Sequence, residues 1–431
     1  MNALRLSLTI SVVATLLSAV ARYTVAQDLG RNALEESRSL HDTAWAIHHV
    51  PDRFATSGEA SKHIFLNMPQ FYLHSFVNRS GPVRELALAL RDDVASFVTQ
   101  TELGVLPLWE YVSNPASAVD GFLVVHEGAI AFEAYPSMQP SDKHIYFSVS
   151  KVFVSTAVAL LEQRGLLDVN ESIETYFPEL EETGWDGVRV IDILDMSSGM
   201  DCPNAIGDMT SCFEQSWTAY GRPIGYDEDS SLENPLDYFA QIPAHRPAGQ
   251  AFEYADINPL LLTLLVEELS GKTFDAFLKE EIWQQMGAES DAMLLTAANG
   301  RSATPLGMSS TLRDMARFGL LFTPSGRQKA DPIISDETLT KIQFGGRPEI
   351  FEQGSFANLF GGEQAIRNTY QWDHVTTEGD FFKDGVAGQG LYISPSRDLV
   401  IAFFGSWAEY QLWDEMPAVA RQLAKSGLFS Q

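Results

Sequence analysis

The chain has 431 residues, 45% of them hydrophobic, which is enough for one large domain or two moderate ones with a real core. Acidic residues outnumber basic ones by 57 to 29, and the formal net charge is −28. Such a surface repels nucleic acid and anionic membranes and disfavours polyanionic substrates. A solvated acidic shell that keeps the protein in solution is the simpler explanation of the charge, and we expect no nucleic-acid partner.

Residues 1–26 have the features of a secretory signal peptide. Arg5 supplies the positive start, residues 6–20 are largely apolar, and small residues precede two candidate cleavage points, after Ala21 or after Ala26. A membrane anchor needs about 20 uninterrupted apolar residues, and serines and threonines interrupt this run. The sequence therefore predicts export with cleavage, a periplasmic or secreted protein, and no membrane attachment of the mature chain.

Residues 27–115 form an N-terminal extension with weaker signals. Residues 85–99 have the pattern of a helix, and we expect the segment to wrap the main domain. No motif assigns it a function.

Apolar runs bounded by turn residues predict strands near both ends of the remaining chain. Residues 122–125 and 129–135 form one predicted hairpin, and residues 390–393 and 399–404 form a second. Helices are expected at 190–196, 259–269, 274–286, 312–322 and 416–425. Strands at both ends with helices between them indicate one antiparallel sheet assembled from N- and C-terminal parts.

This pattern divides the chain into an α/β sheet domain, residues 116–190 and 321–431, and an inserted all-helical domain, residues 191–320. The predicted fold class is therefore α/β (α+β), with an antiparallel sheet flanked by helices. Substrate-selecting side chains are expected in two loops, residues 221–232 and 350–377.

The chain contains two cysteines, Cys202 and Cys212. In an oxidising compartment they are able to pair and pin the loop between them, whereas in a reducing one they stay free thiols. The sequence has no Cys-x-x-Cys, His-Glu-x-x-His or phosphate-binding glycine pattern, so we expect neither a metal nor a cofactor.

Ser148 and Lys151 are three residues apart at the start of an apolar helix. Residues at this spacing share a helix face, so the Lys151 amine is placed to reach the Ser148 hydroxyl. A serine becomes a useful nucleophile when a neighbouring base takes its proton, and a helix N-terminus favours developing negative charge. A serine there is often only an N-cap, but no other Ser-x-x-Lys occurs in the chain.

Tyr254 and Asp256 stand on a predicted loop just before the helix at 259–269. A tyrosine in this position is able to project into a cleft. A lysine ammonium beside it would lower the pKa of the phenol and make it a usable general base and acid. The alternative is a tyrosine that only packs at a helix start.

Residues 381–390 lead into a strand and contain Lys383 and Gly385. Glycines there let the backbone approach a ligand closely, and an N–H at the strand edge would complete an oxyanion hole with the N–H of Ser148. The alternative is a glycine-rich hairpin entry without a chemical role.

Together these motifs resemble those of the serine hydrolases of the class C β-lactamase and penicillin-binding-protein superfamily. The chain is most similar to the branch that holds esterases and 6-aminohexanoate-dimer hydrolases. The matching residues are Ser148-Val149-Ser150-Lys151 for the nucleophile motif, Tyr254-Ala255-Asp256 for the family's Tyr-x-Asn, and Lys383-Asp384-Gly385 for its Lys/His-Thr/x-Gly. Residues 193–200 and 312–319 also match the family, and the resemblance covers about residues 60–425.

The resemblance implies a β-lactamase/transpeptidase-like fold, with the site between the sheet and a helical domain, and no metal. It also implies that Ser148 is the acyl-accepting nucleophile and Lys151 its activating partner. Tyr254 would carry the proton to the leaving group, the N–H groups of Ser148 and Val386 would hold the oxyanion, and Lys383 would lend positive charge to the site.

Two residues depart from the family pattern. Asp256 stands where asparagine is usual, and Asp384 stands where threonine or another small polar residue is common. Both bring negative charge near the site, and we expect one or both to neutralise Lys383. This departure argues against recognition of carboxylate-bearing β-lactams.

The sequence therefore predicts an exported serine hydrolase that cleaves a small-molecule ester or amide through a Ser148 acyl-enzyme. The alternative inside the family is a β-lactamase or D,D-peptidase acting on peptidoglycan-like substrates. The alternative outside it is a catalytically inactive binding protein on the same scaffold, but all three motif positions hold chemically competent residues. No signal for an oligomeric state is present.

Overall fold

The computed structural model describes residues 57–206, 208–221, 234–297, 299–328, 332–352, 366–407 and 415–429. The predicted signal peptide lies outside these ranges, as do most of the predicted loop at 221–232 and residues 353–365 of the loop at 350–377. Among the helices that the structure describes, none is both long and apolar enough to cross a bilayer.

Strands and helices alternate irregularly along the described chain. The strands are β1 (His74–Val77), β2 (Ala87–Leu88), β3 (Val98–Thr101), β4 (Gly104–Pro107), β5 (Val119–His126), β6 (Ala129–Ala134), β7 (His144–Ile145), β8 (Ala292–Leu295), β9 (Met308–Ser310), β10 (Arg367–Thr369), β11 (Trp372–Val375), β12 (Phe381–Gly385), β13 (Gln389–Ser394) and β14 (Leu399–Gly405). The helices are α1 (Gly58–Leu66), α2 (Asp92–Ala95), α3 (Leu108–Ser113), α4 (Lys151–Gln163), α5 (Val190–Leu194), α6 (Cys212–Tyr220), α7 (Pro235–Phe239), α8 (Ile257–Ser270), α9 (Phe274–Phe277), α10 (Leu312–Leu320), α11 (Asp336–Phe344), α12 (Pro348–Phe351) and α13 (Met416–Ala424).

The main sheet has eight strands in the order β10-β11-β12-β13-β14-β5-β6-β2. Every neighbouring pair in it is antiparallel except β2 and β6. The C-terminal strand β14 pairs with the N-terminal strand β5, with Ile401 opposite Val124. The predicted antiparallel sheet built from both ends of the chain, with its two hairpins β5–β6 and β13–β14, is therefore confirmed.

Both faces of the main sheet are covered, because successive side chains of a strand point to opposite sides. Leu123 and Val125 of β5 belong to a large apolar core that also contains α4, α8 and α10. Phe122 and Val124 belong to a smaller core that α13 closes. Helix α4 is buried along its whole first eleven residues, so its N-terminal end, where the nucleophile motif lies, is held rigidly.

A second, four-stranded sheet has the order β1-β8-β9-β7. Strands β8 and β9 lie within residues 191–320, so the insertion predicted as all-helical contains two short strands. Apolar runs as short as β8 look the same in a buried helix and in a strand, which is why periodicity did not distinguish them. The division into two domains stays a prediction.

The described part of the N-terminal extension pairs with both sheets. Strand β1 adds to β8, and β2 runs parallel to β6 with Leu88 opposite Ile130. The helix predicted at residues 85–99 is wrong, because this stretch forms β2, the short helix α2 and β3. Pairing along the sheet edge overrides the local helical pattern.

The predicted helices near residues 190, 259, 312 and 416 are confirmed as α5, α8, α10 and α13. The helix predicted at 274–286 is α9 followed by a π-helical turn, Leu278–Trp283. The two cysteines form a disulfide, with Cα atoms 5.1 Å apart, which confirms the pairing that an oxidising compartment permits.

Candidate active site

The turn that carries Ser148 is held from both sides. Strand β7 leads into a short 3₁₀ turn, Phe147–Ser150, and α4 follows directly. Phe147 has φ of 45°, which is unusual for a residue with a bulky side chain and typical of a position that the surrounding structure constrains. The Ser150 hydroxyl accepts a hydrogen bond from the backbone N–H of Met308, at 3.1 Å. Packing and hydrogen bonding therefore fix the position of the nucleophile.

Lys151 reaches Ser148 as the three-residue spacing predicts. Its Nζ donates to the Ser148 Oγ at 3.0 Å and to the carbonyl oxygen of Pro305 at 3.0 Å. The carboxylate of Asp256 lies 3.0 Å from the same nitrogen. The Lys151 side chain is only 1% exposed. These three oxygen atoms therefore take the place of the water that would solvate its amino group at the protein surface.

Asp256 is positioned by a reciprocal pair of hydrogen bonds with Asn204. The Asn204 side-chain amide donates to Asp256 Oδ1 at 3.2 Å, and the backbone N–H of Asp256 donates to Asn204 Oδ1 at 2.9 Å. Asn204 lies between Cys202 and Cys212, in the loop that the disulfide closes. The disulfide loop thus supports the carboxylate that pairs with Lys151.

Tyr254 stands between the two lysines of the site. Its ring centroid is 5.1 Å from the Lys151 Nζ and 4.8 Å from the Lys383 Nζ, which is within cation–π range. The Lys383 Nζ donates to the phenol oxygen at 3.4 Å, and the phenol also hydrogen-bonds to Ser148. The structure therefore brings the three predicted motifs together around one hydroxyl group.

The prediction that a neighbouring lysine lowers the pKa of Tyr254 is wrong. Burial raises the pKa of the phenol well above its usual value, and the carboxylates of Asp373 and Asp256 raise it further. The hydrogen bond with Ser148 lowers this pKa but does not reverse the result. Tyr254 therefore keeps its proton at neutral pH, which suits a proton donor.

Lys383 is fully buried and paired with a residue that no motif contains. Its Nζ donates to Asp373 Oδ1 at 2.6 Å, while Asp373 Oδ2 accepts the backbone N–H of Asp384 at 3.1 Å. Burial lowers the pKa of Lys383 below its usual value, and the Asp373 carboxylate opposes this shift only in part. The expected neutralisation of Lys383 by Asp256 or Asp384 is thus corrected: Asp373 supplies the contact, and Asp256 pairs with Lys151.

Gly385 brings the end of β12 against the nucleophile turn. A Cβ atom at this position would lie 2.6 Å from the carbonyl oxygen of Tyr146, so only glycine permits the approach. Val386 follows at the strand end and is 45% exposed. The two residues predicted for the oxyanion region therefore lie beside the turn that holds Ser148.

Three groups of this site were not singled out in the sequence: Asp373, Asn204 and the carbonyl oxygen of Pro305. Asp373 does lie within residues 350–377, which were expected to select the substrate, but the prediction of a loop there is wrong at its C-terminal end, where the chain forms β10 and β11. A backbone carbonyl leaves no trace in a sequence, and Asn204 looks like any loop asparagine. The one usable signal was an acid inside the buried strand β11, since a buried carboxylate needs a partner. Within the described ranges, no group of three or more histidine, cysteine or acidic side chains is arranged to hold a metal ion.

Comparison with known proteins gives the site a context. The family model described as Beta-lactamase matches residues 115–425, and this range includes every motif described above.

Individual relatives share little sequence identity with this chain, but the matches extend over about two thirds of it. The 6-aminohexanoate-dimer hydrolase of Paenarthrobacter ureafaciens is 27% identical over 296 residues, which cover 68% of this chain and 74% of that protein. Penicillin-binding protein 4* of Bacillus subtilis is 20% identical over 310 residues, covering 68% of this chain and 62% of that protein. A solved structure from Bacillus anthracis, provisionally described as a 6-aminohexanoate-dimer hydrolase, superposes with a TM-score of 0.72 at 23% identity, covering 86% of this chain and 94% of that one. This likeness confirms the predicted fold.

Proposed function

The chain belongs to the beta-lactamase family, whose members are serine hydrolases, and from that premise we propose that it is an exported enzyme that cleaves a small ester or amide through a Ser148 acyl-enzyme. The observation that carries the proposal is the contact of 3.0 Å between the Lys151 Nζ and the Ser148 Oγ. A base within hydrogen-bond distance of a serine hydroxyl is the arrangement that nucleophilic catalysis needs.

In the first step, the Ser148 Oγ attacks the substrate carbonyl carbon while its proton passes to the Nζ of Lys151. Lys151 is the amine nearest to the hydroxyl, and the Asp256 carboxylate compensates the charge that the amine gains. The N–H groups of Ser148 and Val386 stabilise the oxyanion of the tetrahedral intermediate.

In the second step, the intermediate collapses, the bond to the leaving group breaks, and Tyr254 donates a proton to the departing nitrogen or oxygen. The raised pKa of Tyr254 supports this role, because the phenol holds its proton until a strong base such as a departing amine or alkoxide needs it. Water then attacks the Ser148 ester by the reverse sequence, which releases the acid and restores the hydroxyl.

The substrate class rests on two observations. One relative is named for hydrolysis of a 6-aminohexanoate dimer, and Lys383 is already paired with a carboxylate of the protein at 2.6 Å. A linear ester or amide therefore fits the site better than a β-lactam or a peptidoglycan-like peptide that presents a carboxylate to this lysine.

Export is proposed from the signal-peptide pattern of residues 1–26 and is supported by the Cys202–Cys212 disulfide. Disulfides persist in oxidising compartments and are rare in reducing ones. A periplasmic or secreted location follows, and N-terminal sequencing of the mature protein from culture fractions tests it: an intact Met1 in the cytoplasmic fraction contradicts export.

A fluorophosphonate probe tests the nucleophile, and a screen of p-nitrophenyl esters, linear amides and nitrocefin tests the substrate class. We expect the probe to label Ser148 and the esters or amides to be turned over faster than nitrocefin. Failure of labelling together with no turnover would support an inactive binding protein instead, and a clear preference for nitrocefin would support a β-lactamase.

A further inference from the structure

Asp373 lies outside every motif of the chain, yet both of its carboxylate oxygens are used in the active site. It is almost completely buried on β11. Oδ1 accepts from the Lys383 ammonium at 2.6 Å, and Oδ2 accepts the backbone N–H of Asp384 at 3.1 Å. The side chain is thus held by two donors on the neighbouring strand β12, and one of them is the lysine of the third motif.

The head group of Lys383 is enclosed. It has no exposed surface, it donates to Asp373, and its remaining contacts on the site side are the phenol oxygen and ring of Tyr254, at 3.4 Å and 4.8 Å. A substrate carboxylate would have to displace an internal carboxylate at 2.6 Å. Displacement would leave a buried negative charge unpaired, which is strongly unfavourable.

Asp373 has little freedom to turn away, because the chain just before it is anchored. The backbone N–H of Tyr370 donates to Asp195 Oδ1 at 3.1 Å, and the N–H of Gln371 donates to the Leu194 carbonyl oxygen at 2.9 Å. Trp372 is completely buried. Since residues 370–371 are fixed to the end of α5 and β11 is paired with β10 and β12, the ion pair is preorganised in the folded protein.

The charges around Ser148 also disfavour an anionic substrate. Lys151 is paired with Asp256 and Lys383 with Asp373, so both lysine side chains already face a carboxylate of the protein. Asp384 adds a further negative charge beside Lys383. An incoming anion therefore meets three carboxylates, those of Asp256, Asp373 and Asp384, but two lysine side chains, and like charges disfavour its binding.

We propose that Asp373 is a specificity-determining residue: it occupies Lys383 and so excludes substrates whose carboxylate would have to bind this lysine. The inference rests on the hydrolase function proposed above and names the class of substrate that this hydrolase rejects. Neutral esters and amides are accepted because they do not need a free cation at this position.

Two esters with the same six-carbon acyl chain test the proposal: p-nitrophenyl hexanoate, which is neutral, and mono-p-nitrophenyl adipate, which ends in a carboxylate. Wild type is expected to have the higher kcat/KM on the hexanoate. Asp373→Asn keeps the shape of the side chain but frees Lys383. It should raise the adipate-to-hexanoate ratio by at least about tenfold, the scale of one charge-assisted hydrogen bond.

The gain should appear as a larger fall in KM for the adipate than for the hexanoate, because only the adipate carries a carboxylate that the freed Lys383 can bind. If Asp373 had only a structural role, the substitution would instead lower kcat/KM for both esters by a similar factor. The matched control is Asp237→Asn, which removes the same charge from an exposed position on α7 and should leave the ratio unchanged.

The outcomes separate the two proposals. An active wild type that prefers the adipate overturns this inference without any variant, so the test holds even where Asp373→Asn fails to fold. An active Asp373→Asn with an unchanged ratio overturns it as well. A wild type that hydrolyses neither ester and does not react with a fluorophosphonate overturns the hydrolase function and this inference with it.

Discussion

The nucleophile segment, residues 146–163, and the β11–β12 pair, residues 372–385, each supply one buried lysine to the site, but they organise it differently. In the first, Lys151 contacts a serine three residues away on the same turn of chain. In the second, Lys383 contacts an aspartate on the neighbouring strand. The first contact places a base beside a nucleophile, while the second places a carboxylate over a cation. Lys151, which contacts the Ser148 hydroxyl, is therefore the lysine that is placed to act as a base.

The largest effect is expected at Ser148. Ser148→Ala should abolish turnover and fluorophosphonate labelling while the protein still folds, because no other side chain can form the acyl bond. The matched control is Ser155→Ala, which removes a hydroxyl from the same helix α4 where it only donates to the Val152 carbonyl oxygen. Near-wild-type turnover by Ser148→Ala would remove the basis for treating the nucleophile segment as the reactive region.

Lys151→Ala should lower kcat by at least about 10²-fold, a typical loss when general-base assistance is removed. Lys425→Ala, an exposed lysine after α13, is the control and should keep full activity. The substitution removes the lysine that pairs with Asp256. Circular dichroism and thermal melting of the variant show whether the protein still folds without this ion pair. A folded Lys151→Ala with less than a threefold loss would contradict the role of Lys151.

The same contrast explains what the sequence could predict. The Ser148–Lys151 contact follows from helix spacing, so it was readable without a structure. Tyr254 and Gly385 were found because they stand at motif positions. Asp373 was not found, because it meets Lys383 only through the register of β11 and β12, which pairs His374 with Phe382 and is set by the whole sheet.

The charge state of the tyrosine was missed for a related reason. The motifs place lysines near Tyr254, and those alone would lower the pKa of its phenol. Burial and two carboxylates outweigh them, and neither burial nor the position of Asp373 is visible in the local sequence. The helix expected at residues 85–99 failed in the same way, since pairing of β2 with β6 decides its conformation.

Because the β11–β12 pair buries a histidine, the free energy of unfolding should depend on pH. His374 packs between Phe351 and Phe382, and burial followed by the charge of Lys383 lowers its pKa from 6.5 to about 3. Below pH 6.5 the unfolded chain takes up a proton that the folded protein refuses, so stability falls progressively from pH 6.5 towards pH 3.

At pH 4.5 this difference corresponds to about 2–3 kcal/mol, from a two-unit gap at about 1.4 kcal/mol per unit. His374→Phe should remove it. Urea unfolding at pH 7.5 and 4.5 measures the effect: the loss of free energy of unfolding between the two pH values should be smaller in the variant by that amount. Equal losses in variant and wild type would show that His374 takes up a proton in the folded protein.

The smallest effect is expected at Asp384, although the sequence singled it out and passed over Asp373. The Asp384 backbone N–H, not its carboxylate, makes the contact with Asp373, and the carboxylate is the weakest of the influences on the Lys383 pKa. Half-buried charges that do not contact the ammonium directly contribute little, because solvent screens them. Asp384→Thr should therefore change the adipate-to-hexanoate ratio by less than about threefold, against the tenfold or greater change expected for Asp373→Asn.

Threonine fits a strand and keeps the backbone N–H, so both variants should fold and be directly comparable by kcat/KM on the same two esters. If the two substitutions shift the ratio equally, the charge of the whole cleft, rather than the contact at β11–β12, selects the substrate.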